Sequence, residues 1–193
     1  MALAATHIKF ALDLKSTYNP QNEAAYISGS IYPDSRYLTK IDRHLTHNLE
    51  TLNPTTDFEK GWQNHLVCDK IQGLMMNKHL PDEFNSDKNK MKQGNDFWVR
   101  RTALKIIQDI EIINSFDIKK LLPLLDYIET PNNESITKMK RYNQLMQKFY
   151  VKKQSIDGYC NMWSNWGIEE TLIKKIHTAT EKNLKQLIYN GRN

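Results

Sequence analysis

The chain has 193 residues, 39% of them hydrophobic, and carries 27 Lys and Arg against 22 Asp and Glu. With a mean hydropathy of −0.66 and no run near the ~18 apolar residues of a membrane helix, it excludes a spanning protein and predicts a water-facing chain long enough to bury its own core. The charge is uneven: residues 138–193 hold eleven Lys and Arg against four Asp and Glu, while the first 137 residues are slightly acidic.

The predicted elements are helical almost throughout. "MALAATHIKFALDL" is interrupted by His7, Lys9 and Asp13 and lacks a basic start and a long apolar run, so it reads as a helix and not as an export signal. In "HIKFALDLKSTY" the apolar Ile8, Ala11 and Leu12 recur at helical spacing. "GSIYPDSRYLTKIDRHLTHN", residues 29–48, reads as a Gly29 turn, a Pro33-Asp34 pair and a helix face shared by His44 and His47. Asp34 would there cap the next helix or bind a metal.

The next helix opens in "TTDFEKGWQNHLVCDKIQGLMM". Thr55 or Thr56 is the N-cap, and Glu59, three residues after Thr56, completes a capping box. Phe58, Trp62, Leu66, Ile71 and Met75 follow at roughly helical spacing. Residues 78–95, "KHLPDEFNSDKNKMKQGN", are polar and read as a connection or lid. In "NDFWVRRTALKIIQDIEIINSF" an apolar stripe is expected at Trp98, Ala103, Ile107, Ile110 and Ile113. "FDIKKLLPLLDYIE" has Asp117 as a cap and Pro123 as a kink or restart. Two long helices are expected in "NESITKMKRYNQLMQKFYVKK" and "GIEETLIKKIHTATEKNLKQLIYN", with Gly191 as a stop and the connection "SIDGYCNMWSNWG" (155–167) between them. The sum is an all-α, single-domain helical bundle over 1–193, with its chemistry in about the first 80 residues and basic helices over about 138–193.

Five of the six histidines (His7, His44, His47, His65, His79 and His177) fall in the first 79 residues. His65 and Asp69 are four apart on a predicted helix, so imidazole and carboxylate share a face, the donor types a divalent metal needs. His177 and Glu181 have the same spacing and read as an exposed salt-bridge pair on a helix. Cys68 and Cys160 form no paired motif and predict free thiols in a reducing cytoplasm. Trp163 and Trp166 read as core residues, although tryptophans near basic helices could stack on bases.

Taken in order, "ATHIKFAL", "GSIYPDSRY", "RHLTH" and "FEKGWQNHLVCDK" resemble the zinc-dependent phospholipase C family and its single-strand nuclease relatives, over roughly residues 6–70. The resemblance implies that family's all-helical fold. It implies metal ligation by His7, Asp34, His47, His65 and Asp69, with Asp69 bridging two zinc ions and Asp34 a ligand or a base for the attacking water. His44 could take the place of His47, and His79 is a further alternative. Manganese or iron would suit the same donors. Arg36 and Arg43 flank the ligands and could clamp a substrate phosphate, and Tyr32 and Tyr37 could line the mouth. The chain departs from the family where a further histidine would closely follow Asp69: "KIQGLMMNKHLP" places His79 ten residues on. The family is usually secreted, so the expectation here is a reduced site of one or two metals in a cytoplasmic protein.

The implied activity is metal-dependent hydrolysis of a phosphoric ester, phosphodiesterase or phospholipase C-like, by metal-activated water. A nucleotide phosphohydrolase of the HD type is the second reading, although no adjacent His-Asp dyad occurs. A non-catalytic helical interaction module, its basic third docking on nucleic acid or an acidic partner, is the third.

Overall fold

The computed structural model describes residues 3–48, 50, 52–79 and 94–190, the side chains of 77, 79 and 186–190 apart. The described residues are all-helical: α1 (Ala4–Asp13), α2 (Lys15–Tyr18), α3 (Glu23–Ile31), α4 (Arg36–Thr39), α5 (Arg43–Thr46), α6 (Asp57–His79), α7 (Asp96–Ile113), α8 (Ile136–Val151), α9 (Ile156–Asn165) and α10 (Glu170–Asn190). None of these helices is long and apolar enough to cross a membrane. Contacts group the chain into two compact units, Met1–Ile71 with Ile112–Lys153, and Gln72–Glu111 with Gln154–Asn193. The Gly191 stop, and all but the ends of the 78–95 connection, lie outside the described residues.

In the first unit the starts of α3 and α6 are written by side chains. Thr56 Oγ1 accepts from Glu59 N while Glu59 Oε2 accepts from Thr55 N and Thr56 N, which is the capping box expected at the start of α6. Asn22 caps α3, and Asp57 Oδ2 accepts from both Gln21 N and Asn22 N, tying the entry of α3 to the first turn of α6. A core cluster of Ala25, Tyr32, Phe58, Trp62, Leu66 and Met139 fills the space between α3, α6 and α8.

Gly29 is not in a turn. It lies inside α3, and a Cβ there would stand 2.0 Å from the carbonyl oxygen of Phe58. Gly61 of α6 answers it: a Cβ there would stand 2.0 Å from Tyr26 O. Two glycines facing backbone let α3 and α6 cross without an intervening side chain. That crossing holds His65 of α6 against the Ser30 carbonyl of α3. Tyr26 OH, against Asn64, also donates to Ala11 O at 2.9 Å, fixing α1 to the same crossing.

Residues 118–126 form two short 3-10 turns in place of a continuing helix, Ile118–Lys120 and Leu122–Asp126. Pro123 in the first turn of the second cannot donate to an α ladder. Asp117 makes no cap bond and faces Lys120 at 3.6 Å instead.

In the second unit, the stretch 155–167 is not a connection but helix α9. Ser155 caps it by accepting from Gly158 N, and it buries Tyr159, Cys160, Met162 and Trp163 at helical spacing. Gly167 ends it at φ +77°, with Ile168 N reaching back to Trp163 O at 3.1 Å, a Schellman stop. On α7 the buried face is rotated from the expected stripe. Phe97, Val99, Thr102, Ala103, Ile106 and Ile107 are inside, whereas Trp98, Ile110 and Ile113 are only half-buried. The rotation brings Asp109 inward to accept from Tyr159 OH at 2.6 Å, a bond the hydrophobic pattern does not encode.

Candidate metal centre

Five side chains from four segments of the first unit converge. His7 comes from α1, Asp34 from the 3-10 turn Tyr32–Ser35, His47 from the residue that ends α5, and His65 and Asp69 from successive turns of α6. His7 Nε2 is 3.8 Å from Asp69 Oδ1, and His65 Nε2 is 3.9 Å from Asp69 Oδ2. His47 Nε2 lies 3.8 Å from Asp69 Oδ2 and 3.9 Å from Asp34 Oδ1. Two overlapping groups, His7 with Asp34 and His65, and His47 with His65 and Asp69, each keep their ligand atoms within 4.8 Å of one another. His65 is 0% exposed, His7 1% and Asp34 4%, so the cluster is sealed from water except at Asp69.

These spacings are too long for hydrogen bonds. Two donors each about 2.0–2.2 Å from one ion can be up to ~4.4 Å apart, which the four pairs satisfy.

The tautomers are set from outside the cluster. His65 Nδ1 donates to Ser30 O at 2.8 Å, which leaves the lone pair on Nε2 facing Asp69. Thr46 Oγ1 sends its proton to Arg43 O at 3.2 Å and therefore accepts from His47 Nδ1 at 2.9 Å, which again leaves Nε2 as the inward lone pair. Trp62 Nε1 donates to Thr46 O at 2.7 Å and anchors this segment to α6. Among the described residues His65 Nε2 and Asp34 Oδ1 are buried with no hydrogen-bond partner. Burial, then the neighbouring His65, drives the His47 imidazole down to about 2, so it stays neutral.

Two largely buried carboxylates beside three imidazoles make a donor-rich pocket that a divalent cation would balance. The donor set, two carboxylates and three imidazoles with outer hydrogen bonds that fix the ring nitrogens, fits zinc, manganese or iron.

Around the cluster, Arg36 Nη2 donates to Tyr37 OH at 2.7 Å, and the guanidinium lies over the Tyr37 ring, 4.2 Å from its centroid. Burial and the negative charge of Asp34 push the Tyr37 phenol well above its ordinary value. Arg43 is exposed, and among the described residues neither arginine lies within salt-bridge distance of a carboxylate.

The alternatives fall away from the cluster. His44 has 73% of its side chain exposed and sits beside Asp42, 3.3 Å off, because α5 ends after Thr46 and only His47 turns inward. The side chain of His79 lies outside the described residues. Asp34 is not an N-cap: the turn after Pro33 carries it into the pocket. Tyr32 does not line a mouth. It is buried, packs edge-on against Trp62 with centroids 4.8 Å apart, and hydrogen-bonds Glu134 and Asn132. His177 is the helix-surface partner expected, 2.9 Å from Asp157 and 3.8 Å from Glu181. Trp163 is fully buried in the second unit, and both cysteines are buried free thiols. Sequence reasoning missed Ser30 and Thr46; Ser30 acts through a carbonyl that any residue type would supply.

No protein-family model, curated protein or solved structure matches this chain.

Proposed function

We propose that this chain is a metal-dependent hydrolase of phosphoric esters, with the first unit as its catalytic part. One observation carries the reading: donors from four separate segments converge with two of their ring nitrogens turned inward by Ser30 and Thr46. His7, His47, His65, Asp34 and Asp69 would hold one or two ions, zinc by preference. Such an ion supplies Lewis acidity, acidifying water and polarising a phosphoryl oxygen.

The remaining work falls to the chain's own groups. Where Asp34 is not itself a ligand, its Oδ1, buried and without a hydrogen-bond partner among the described residues, is the acceptor for the proton of the attacking water. Asp69, with 20% of its side chain exposed, marks the side from which the ester enters. Arg36 and Arg43, neither neutralised by a carboxylate among the described residues, draw and orient the phosphate there. The order of the four motifs, which resembles the zinc-dependent phospholipases C and single-strand nucleases, supports the same reaction class. The two buried, unlinked thiols support a reducing compartment.

The test is elemental analysis of the purified protein beside His65→Ala and Asp69→Ala, followed by hydrolysis of bis(p-nitrophenyl) phosphate. About one or two equivalents of a transition metal in the wild type, lost with the activity in both helical, folded variants, is the expected result. Unchanged metal content in both variants overturns the reading.

A further inference from the structure

The second unit carries a groove that the metal centre does not use. It is a cavity of about 530 Å³ between α7 and α10. Among the described residues its walls hold Arg100 from α7 and Lys174, Lys175 and Lys182 from α10, with Asp96 as the one carboxylate. The buried Val99 forms part of its floor. The volume falls in the range of ligand sites. Lys174 shares its charge with Glu170 at 2.7 Å. Among the described residues Lys175 and Lys182 have no carboxylate within salt-bridge distance, so these two leave positive charge on the groove wall.

The arrangement of these cations says what they fit. Lys174 and Lys182 are eight residues apart on one helix, which at 1.5 Å per residue sets their backbone positions about 12 Å apart along the axis. Their backbone positions are spread along the helix and not gathered in one turn. Among the described residues no aromatic side chain lines the groove, so it offers no platform on which a base would stack. A line of cations with nothing to read a base is complementary to a chain of phosphates.

We infer that the α7–α10 groove binds a flexible chain of phosphates through its backbone charge, without sequence preference. An oligonucleotide strand and inorganic polyphosphate share that chemistry. The inference stands apart from the hydrolase reading, since it uses no residue of the metal centre.

The experiment is fluorescence anisotropy of a labelled oligo-dT strand on the full chain in EDTA, which silences the metal centre, repeated from 50 to 200 mM salt. End-labelled inorganic polyphosphate serves as a second probe under the same conditions and, unlabelled, as competitor. The variant Lys175→Gln/Lys182→Gln removes two charges from the groove. Lys152→Gln/Lys153→Gln removes two exposed charges from the same basic third but outside the groove. Both pairs are exposed, so the fold survives, as circular dichroism would verify.

At about 0.7 counterions per phosphate contact on a single strand, the groove variant should lower the log–log salt slope by about 1.4 and weaken binding about tenfold or more. The control variant should change affinity less than about threefold, its charges contributing only at long range. Binding of polyphosphate but not of oligo-dT supports the inference and names polyphosphate as the source. Absence of binding to both probes overturns it, and so does equal weakening by the two double variants, which would mean diffuse charge and no groove.

Discussion

The imidazole rings of His7 and His65 lie stacked, their centroids 3.6 Å apart and their planes 16° from parallel. They belong to different helices, so tertiary packing alone brings them together. Two protonated rings at that distance would repel in a buried pocket. A metal held by these rings would need both as free bases, which relieves that repulsion. His7→Ala should weaken zinc binding more than the 10–100-fold typical of losing an outer partner. His44→Ala, which removes an exposed ring, should change it less than about twofold. Competition against a chelating dye measures both. Equal losses would show that zinc sits elsewhere.

The helices were legible where period and caps agree. Thr56 with Glu59 marks the start of α6, and the i,i+4 spacing of His65 and Asp69 follows from that helix alone. Helix α9 was not legible, because Ser155, Gly158, Ser164 and Gly167 carry turn chemistry that outweighs the four buried side chains among them. Gly29 misled for a related reason: a glycine reads as a turn, whereas here its missing side chain serves a helix crossing. His44 and His47 are equivalent in local sequence, and only the end of α5 separates them. His7 and Asp34 entered through motif order, since nothing in their own neighbourhoods points to a shared pocket. The unit boundaries at 71/72 and 111/112 fall inside α6 and α7, where no change of composition marks them.

The two glycines of α6 should respond in opposite ways. At Gly61 a methyl group meets the Tyr26 carbonyl at 2.0 Å and Ser30 N at 2.9 Å, both backbone. The helices must part, so Gly61→Ala should destabilise by about 1–3 kcal/mol or more and disturb the Ser30–His65 bond. At Gly73 the nearest atom is Nη2 of Arg101 at 3.1 Å, the far end of a long side chain. Gly73→Ala should be neutral or stabilise by up to about 1 kcal/mol through helix propensity. Urea unfolding followed at 222 nm compares the two. A neutral Gly61→Ala would mean that the α3–α6 crossing is looser than described.

The thiol of Cys160 gives a pH signature. Burial, with the negative charge of Asp157 adding to it, pushes the thiol from 9.0 up to about 11. The thiolate is the reactive form, so at pH 8 the native protein should react about a hundredfold more slowly than an unperturbed thiol. In the Cys68→Ser background, labelling by a disulfide reagent should rise about tenfold for each pH unit from 7 to 10 without levelling off. In denaturant the rate should level off near the ordinary value. A rate that begins to level off near pH 9 in the native protein would show that the α9 surface opens.

Thr46 tests whether the imidazoles are oriented from outside the metal pocket. It is fully buried, its hydroxyl donates to Arg43 O and accepts from His47 Nδ1, and its carbonyl accepts from Trp62 Nε1. Thr46→Val keeps the shape and the carbonyl but removes the hydroxyl. His47 would then have no partner to fix its tautomer, and the ring could present Nδ1 as the lone pair and turn a proton towards the carboxylates. Zinc affinity should fall about tenfold to a hundredfold. Thr46→Ser, which restores the hydroxyl, should recover most of it. Melting temperature separates this from a packing effect: the Val variant should lose zinc affinity while its zinc-free form stays within a few degrees of the wild type, since one neutral hydrogen bond contributes only about 1 kcal/mol. If the Val and Ser variants bind zinc alike, the Thr46 hydroxyl does not orient His47, and the burial of the ring would have to hold its tautomer by itself.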